Sequence, residues 1–419
     1  MKAIISKSDI KGKATAPPSK SYTIRGLMCA SLAKGESHII NPLVSDDTEA
    51  ASEVLSQVGI DIQKNEGSWQ VRGGHFHNPG GDLFCRDSAA TLRFMTAISS
   101  IIPGGCRLTS GSSLARRPIE LLLEALKQLG VKCQVSNKTV TVNGGRLKGG
   151  KIQLPGDVSS QFISALLLIS PLAESDITIN LTTPPESKPY LKMTLDCLKQ
   201  FGIEVKASDN LRQFEVPRQE YKPASYHVED DWSSASYLLA LGAVSGQVEV
   251  TNLNPESLQG DRIMLNLLED MGAEIEIGIS SVTVKKLKLR AITAYLSDCI
   301  DLLPTLSVLA AVADGKSVFT GISRARLKES NRVLALREGL EKMGINVTEE
   351  EDRLTIIGSV PRPATIDSFD DHRIAMAFAI IGLITGDTII NGAECVSKTY
   401  PEFWDTLKSL GGKVNLDVK

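Results

Sequence analysis

Six times in this chain a helix-like run ends in Leu-x-x-apolar-Gly and gives way to alternating apolar residues. The glycines are Gly59, Gly130, Gly202, Gly272, Gly344 and Gly411, at steps of 71, 72, 70, 72 and 67 residues. Each follows a leucine four positions earlier: Leu55, Leu126, Leu198, Leu268, Leu340 and Leu407. A period of this length marks a repeated supersecondary unit. Each unit reads as a short strand, a helix, a strand, a second helix and an antiparallel strand pair. The first helices are expected near 19–33, 86–100, 159–171, 231–244, 300–313 and 371–384. The glycines suit the left-handed position that closes a helix. Asn137 with Lys138, and Glu351 with Asp352, mark hairpin turns. The last unit retains only one strand of its closing pair, and a strand within 1–10 need not stay with the residues that follow it.

A chain of 419 residues exceeds one ordinary core, so two domains of three units are expected. A net charge of −3 argues against a general nucleic-acid binder but leaves room for a local cationic pocket. No apolar run is long enough to span a bilayer, and the first residues lack the apolar stretch of a signal peptide. The seven cysteines show no C-x-x-C spacing, which fits reduced thiols in a cytoplasmic protein. His75 and His77 lie in a Gly-rich stretch and read as a solvated turn rather than a metal site.

The openings of the predicted helices break a rule. The peptide dipole already presents partial positive charge at a helix start, where Asp or Glu is the stabilising choice. Here Lys20, Arg117, Lys188, Lys328, Arg332, Arg373 and Lys398 stand at such places. One such cation is an ordinary surface residue. Seven at equivalent points of a repeat point to anion binding by side chains and free backbone N–H groups together.

The segments that carry these residues are PSKSYTIR, ARRPI, DVSSQF, ESKPYL, LQGD, IDLLPTLSVLAA, LKESNR, DDHRIAMA and SKTYPEFW. In this order, from about residue 16 to 405, the chain resembles the 5-enolpyruvylshikimate-3-phosphate synthase family. The resemblance implies an α/β fold, a two-domain inside-out α/β barrel of six β-α-β-α-β-β units with the active site in the interdomain cleft. Residues 1–18 with 230–419 would form one domain, mainly on the phosphoenolpyruvate side. Residues 19–229 would form the other, mainly on the shikimate 3-phosphate side. The implied reaction moves the carboxyvinyl group of phosphoenolpyruvate to the 5-hydroxyl of shikimate 3-phosphate, on the way to chorismate. It needs no metal or organic cofactor. The expected partners are these two small molecules, with no nucleic acid and no membrane, for a monomer.

The family pattern assigns phosphoenolpyruvate to Lys20, Ala89, Arg117, Gln161, Arg332, Arg373 and Lys398. It assigns shikimate 3-phosphate to Lys20, Ser21, Arg25, Ser159, Ser160, Gln161, Ser187, Tyr190, Asp301 and Lys328. Both substrates are anions, and two unit charges about 5 Å apart at an effective dielectric near 20 repel by about 3 kcal/mol. Arginine suits bidentate grips on carboxylate and phosphate. An addition followed by an elimination needs two acid–base groups. Asp301 would take the hydroxyl proton, Glu329 would serve the methylene carbon, and Lys20 would assist. Asp301 and Glu329 can also be read as helix-start acids, and the serines as simple caps.

Two other functions share parts of this pattern. A UDP-N-acetylglucosamine enolpyruvyltransferase would have Lys-Asn at the first cation and a loop cysteine near 109–118, where this chain reads SGSSLARRPI. A non-catalytic binder of phosphometabolites would not need both Asp301 and Glu329. The family's Asn-Ala-Gly-Thr stretch is replaced by Asp87-Ser88-Ala89-Ala90. The extra methyl of Ala89 is expected to narrow the phosphoenolpyruvate pocket and weaken glyphosate more than substrate. An inhibition constant as low as that of glycine-bearing relatives would contradict this.

Overall fold

The computed structural model describes residues 1–417, in two compact units: Met1–Pro17 with Asp230–Lys419, and Pro18–Glu229. Each unit has its own apolar core. Six four-stranded sheets share one order, illustrated by Asp82–Phe84, Cys106–Thr109, Thr139–Asn143 and Lys132–Ser136. The first two strands run parallel and the rest antiparallel. This is the order a β-α-β-α-β-β unit produces: a helical crossover joins the parallel pair, and a hairpin closes the sheet. At one hairpin Asn137 and Lys138 both have positive φ, 48° and 64°.

The first helix of every repeat is buried around nearly its whole circumference, the position of a core helix. In the unit Pro18–Glu229 these helices are Lys20–Leu32, Ala89–Ile98 and Ser160–Ile169. In the other they are Trp232–Ser245, Leu303–Val312 and His372–Thr385. Ala89–Ile98 and Trp232–Ser245 are buried at every residue. Within each unit the central helices touch one another, and sheets and second helices pack around them. The second helices are one-sided: Glu120–Gln128 buries only Leu122, Leu123, Ala125 and Leu126. This is the inside-out α/β arrangement.

Two strands join repeats far from them in sequence. Ile10–Thr15 pairs in parallel with Gly246–Thr251, so it leads the repeat of helix Trp232–Ser245. Ser225–His227 pairs in parallel with Gly35–Ile40 and leads the repeat of helix Lys20–Leu32. The expectation of a half-empty last repeat is corrected as well. Lys2–Ser6 pairs with both Thr388–Asn391 and Lys413–Asp417, and so completes that sheet.

All six repeat glycines have positive φ, between 77° and 102°. Gly272 isolates the backbone effect, because a Cβ there would meet only the Lys288 carbonyl, at 3.9 Å. Gly272→Ala is expected to cost about 1 kcal/mol from the left-handed conformation alone. Urea unfolding should show a lower midpoint with an unchanged slope.

Candidate active site

In the unit that contains Asp230–Lys419, one guanidinium organises the start of two helices. Arg332 is the first residue of helix Arg332–Lys342 and is only 1% exposed. Its Nε donates to Asp371 Oδ2 at 2.8 Å and its Nη2 to Asp371 Oδ1 at 3.3 Å, a forked pair. Nη1 donates to Asp301 Oδ1 at 2.8 Å and Nη2 to Glu329 Oε2 at 2.5 Å. Asp371 also caps helix His372–Thr385 by accepting from the Arg373 N–H at 3.0 Å, and it accepts from Ser330 Oγ at 3.0 Å. Asp301 stands in the 3-10 turn Ile300–Leu302 and receives Arg373 Nη2 and Lys328 Nζ, each at 3.2 Å.

The charges balance: Lys328, Arg332 and Arg373 face Asp301, Glu329 and Asp371, three against three. Burial works to raise the Asp301 carboxyl, but Arg373, Lys328 and Arg332 outweigh it and hold it well below the usual carboxylate range. Burial, then the neighbouring charge of Asp301, pushes Asp261 up to about 7. Ser233 Oγ donates to Asp261. Nearby, Lys398 Nζ donates to Asp370 Oδ2 at 2.9 Å and to the Asp370 carbonyl at 2.8 Å.

The unit Pro18–Glu229 uses neutral partners more. Arg25 is 2% exposed. It donates from Nε to Thr194 Oγ1 at 2.8 Å, from Nη1 to the Ser21 carbonyl at 3.0 Å and from Nη2 to the Tyr190 carbonyl at 3.4 Å. Its guanidinium also lies against the rings of Phe94 and Tyr190. Burial lowers the Arg25 pKa, the expected response of a desolvated cation. Lys20, the first residue of its helix, pairs with Asp47 Oδ2 at 2.9 Å. Arg93 donates from Nη1 to Gln161 Oε1 at 2.6 Å and to Ser159 Oγ at 3.4 Å.

The expected residues therefore fall into groups within each unit. Ser21, Arg25 and Tyr190 come together, and Ser159 and Gln161 meet at Arg93. Asp301, Lys328, Glu329, Arg332 and Arg373 form one cluster, with Lys398 paired separately to Asp370. Ala89 opens helix Ala89–Ile98 and is buried. The capping reading of the serines divides. Ser159 caps its helix by accepting from the Gln161 N–H, whereas Ser160 lies inside the helix. Ser19, not Ser21, caps helix Lys20–Leu32. Ser187 is left-handed and its hydroxyl does not cap helix Lys188–Gln200.

Three cations stand earlier than expected. Arg117 and Lys328 each end a 3-10 turn, Leu114–Arg116 and Ser323–Leu327, and Lys398 is the last residue of Ala393–Lys398. Asn331 caps helix Arg332–Lys342 by accepting from the Leu334 N–H at 3.2 Å, a role an aspartate there would also fill. Asp87 accepts from Ser113 Oγ at 2.7 Å and the Leu114 N–H at 3.2 Å, which ties the unusual 86–90 stretch to the turn that leads to Arg117. The charged partners Asp47, Arg93, Asp261, Asp370 and Asp371 were absent from the expected site. Asp371 was present in the DDHR motif and Arg93 beside the altered glycine-rich stretch, so both had a visible signal. Among the described residues no group of His, Cys, Asp and Glu is arranged to hold a metal, and no helix is long and apolar enough to cross a membrane.

Repeats of this form, with paired cations and carboxylates at their helix starts, define an α/β protein of the enolpyruvyl transferase fold. An enolpyruvyl transferase from Streptomyces tendae, NikO, superposes with a TM-score of 0.80 over 99% of this chain and 98% of its own, at 18% identity. The profile of EPSP synthase (3-phosphoshikimate 1-carboxyvinyltransferase) matches residues 4–407, and the chain belongs to that family. It is 52% identical to the 3-phosphoshikimate 1-carboxyvinyltransferase of Dehalococcoides mccartyi strain 195 over the full length of both chains. It is 39% identical to that of Methanocaldococcus jannaschii over 99% of each. The EPSP synthase of Acinetobacter baumannii superposes with a TM-score of 0.83, covering 99% of this chain and 100% of its own at 27% identity.

Asp261 makes stability depend on pH. Its folded pKa of about 7 lies above the ordinary 3.8, so its contribution is complete below 3.8 and is lost as pH rises through about 7. Asp261→Asn cannot ionise and lacks this loss. The melting temperature of the parent minus that of Asp261→Asn should therefore fall between pH 5 and 8. A constant difference would contradict the assignment.

Proposed function

We infer that the chain transfers the carboxyvinyl group of phosphoenolpyruvate to the 5-hydroxyl of shikimate 3-phosphate and releases phosphate. The observation that carries the reading is the meeting of Asp301 and Glu329, the two acids the reaction calls for, on the single buried Arg332. Family membership along nearly the whole chain supports it.

In this reading Lys20, Ser21, Arg25, Ser159, Ser160, Gln161, Ser187 and Tyr190 hold shikimate 3-phosphate. Arg25 is a buried cation whose hydrogen-bond partners are a hydroxyl and two carbonyls, and an added anion would offset its desolvation. Asp301 and Lys328 orient the ring hydroxyls. Lys20, Ala89, Arg117, Gln161, Arg332, Arg373 and Lys398 serve phosphoenolpyruvate.

The 5-hydroxyl oxygen bonds to the central carbon of phosphoenolpyruvate as its proton leaves toward Asp301. Glu329, protonated once an anionic substrate takes its place on Arg332, gives that proton to the methylene carbon. The bond from the central carbon to the phosphate oxygen then breaks, phosphate leaves, and a methyl proton returns to Glu329. Lys20 stabilises charge and assists proton transfer. The cations that hold Asp301 ionised make it a ready hydrogen-bond acceptor and a weak proton store. The proton it receives must therefore pass on, and the departing phosphate is the group that can carry it away. In this reading the chain acts in the cytoplasm, which its seven free thiols support, and as a monomer.

Phosphate release measured with both substrates, with each alone, and with UDP-N-acetylglucosamine in place of shikimate 3-phosphate tests the reading. Release is expected only with the first pair. Glu329→Gln should lower turnover about 10²–10⁴-fold with binding nearly intact. Calorimetric titration that shows binding damaged to the same degree would recast Glu329 as structural.

A further inference from the structure

Two adjacent aspartates of the segment 367–373 differ in a way their sequence conceals. Asp371 is fully buried and fixed by Arg332, Ser330 and the helix start it caps. Asp370 has a side chain 65% exposed, yet it is paired with Lys398, whose side chain is only 13% exposed. One carboxylate is a permanent part of the framework. The other is a solvated group resting on an enclosed ammonium.

The turn is built to place it there. Phe369 and Asp370 both adopt left-handed backbone, with φ of 53° and 55°. A bulky aromatic residue rarely accepts that conformation, and such strain persists only where the surroundings over-determine it. Here they do. Asp367 Oδ1 accepts from the Phe369 N–H at 2.7 Å, and Ser368 Oγ accepts from the Asp370 N–H at 3.3 Å. Ser368 Oγ donates to the Gly392 carbonyl at 3.1 Å, where a Cβ on Gly392 would lie 2.5 Å from that hydroxyl oxygen. Burial works to lower the Lys398 pKa, and its bond and attraction to Asp370 outweigh this and raise it.

We propose that Asp370 is a displaceable internal counter-ion for Lys398, a carboxylate that occupies the ammonium until an anionic group of the substrate replaces it. The inference rests on the reading that Lys398 meets phosphoenolpyruvate. Asp370 is thus a positioning residue that acts through Lys398. It keeps the ammonium charged and aimed while the site is empty, and it sets how strongly an incoming anion must compete. The Asp370 carbonyl, which stays with the backbone, retains the lysine's direction after the carboxylate swings into solvent.

The test is Asp370→Asn, which keeps a side chain tolerant of left-handed backbone and removes the charge. Loss of the competing carboxylate should lower the KM for phosphoenolpyruvate about two- to five-fold, as expected for a partly exposed ion pair. The KM for shikimate 3-phosphate should stay within experimental error. Inhibition by inorganic phosphate, competitive with phosphoenolpyruvate, should tighten by a similar factor. A purely structural residue would not improve either constant. An unchanged or raised KM for phosphoenolpyruvate would overturn the proposal. So would a variant too unstable to assay, because a displaceable carboxylate cannot be essential to the fold. Lys398→Met separates the two levels: if it leaves the KM for phosphoenolpyruvate unaltered, the underlying assignment of Lys398 is wrong. If it raises that KM while Asp370→Asn does not lower it, only the counter-ion proposal fails.

Discussion

The grip of three carboxylates on Arg332 holds the functional end of its unit together. A guanidinium this buried is costly to desolvate, and the penalty is offset only by good geometry and nearly complete hydrogen bonding. Both conditions are met by the fork to Asp371 and the single bonds to Asp301 and Glu329. Breaking such a cluster by removing one partner typically costs about 3–5 kcal/mol, because the remaining charges stay buried. The arrangement is better understood as a specifier than as a stabiliser. It fixes the starts of the helices Arg332–Lys342 and His372–Thr385 and the turn Ile300–Leu302 relative to one another, and with them the carboxylates of Asp301 and Glu329.

The two units solve the same electrostatic problem differently. The Arg332 cluster is internally neutral, so an anion entering it must exchange for a carboxylate. Arg25 instead donates to a hydroxyl and to carbonyl oxygens. An anion that reaches it finds a cation already desolvated and aimed.

Much of this was legible in the sequence, for identifiable reasons. The repeat glycines had to be glycine because each sits in left-handed backbone, so the period survived in plain view. The central helices were placed by the repeat itself, since each precedes the strand that leads to the next one. Lys20, Arg332 and Arg373 were visible because they violate the dipole preference at helix starts. What stayed hidden involved partners distant in sequence. Asp47 meets Lys20 from another helix, and the side chain of Asp261 lies near Asp301 from a different repeat. Nothing local marks such residues as partners, although Asp261 itself stands in the LQGD segment. The 3-10 turns that carry Arg117, Lys328 and Lys398 are too short to leave an apolar period, so these cations were drawn into the following helices. The sheet partners of Lys2–Ser6 were equally invisible, since strand pairing across the chain leaves no nearby signature.

The strand Ile10–Thr15 is synthesised well before its neighbour Gly246–Thr251, which follows more than two hundred residues later. At a ribosomal pace of about 5–20 residues per second the wait is roughly 10–50 s. The segment Pro18–Glu229 supplies all the strands of its own three sheets and can finish during that interval. The nascent protein therefore carries two unmatched strands, Lys2–Ser6 and Ile10–Thr15, beside a completed neighbour. Lys2, Lys11 and Lys13 on these strands are exposed, and charged residues of this kind discourage an unpaired strand from pairing with another chain.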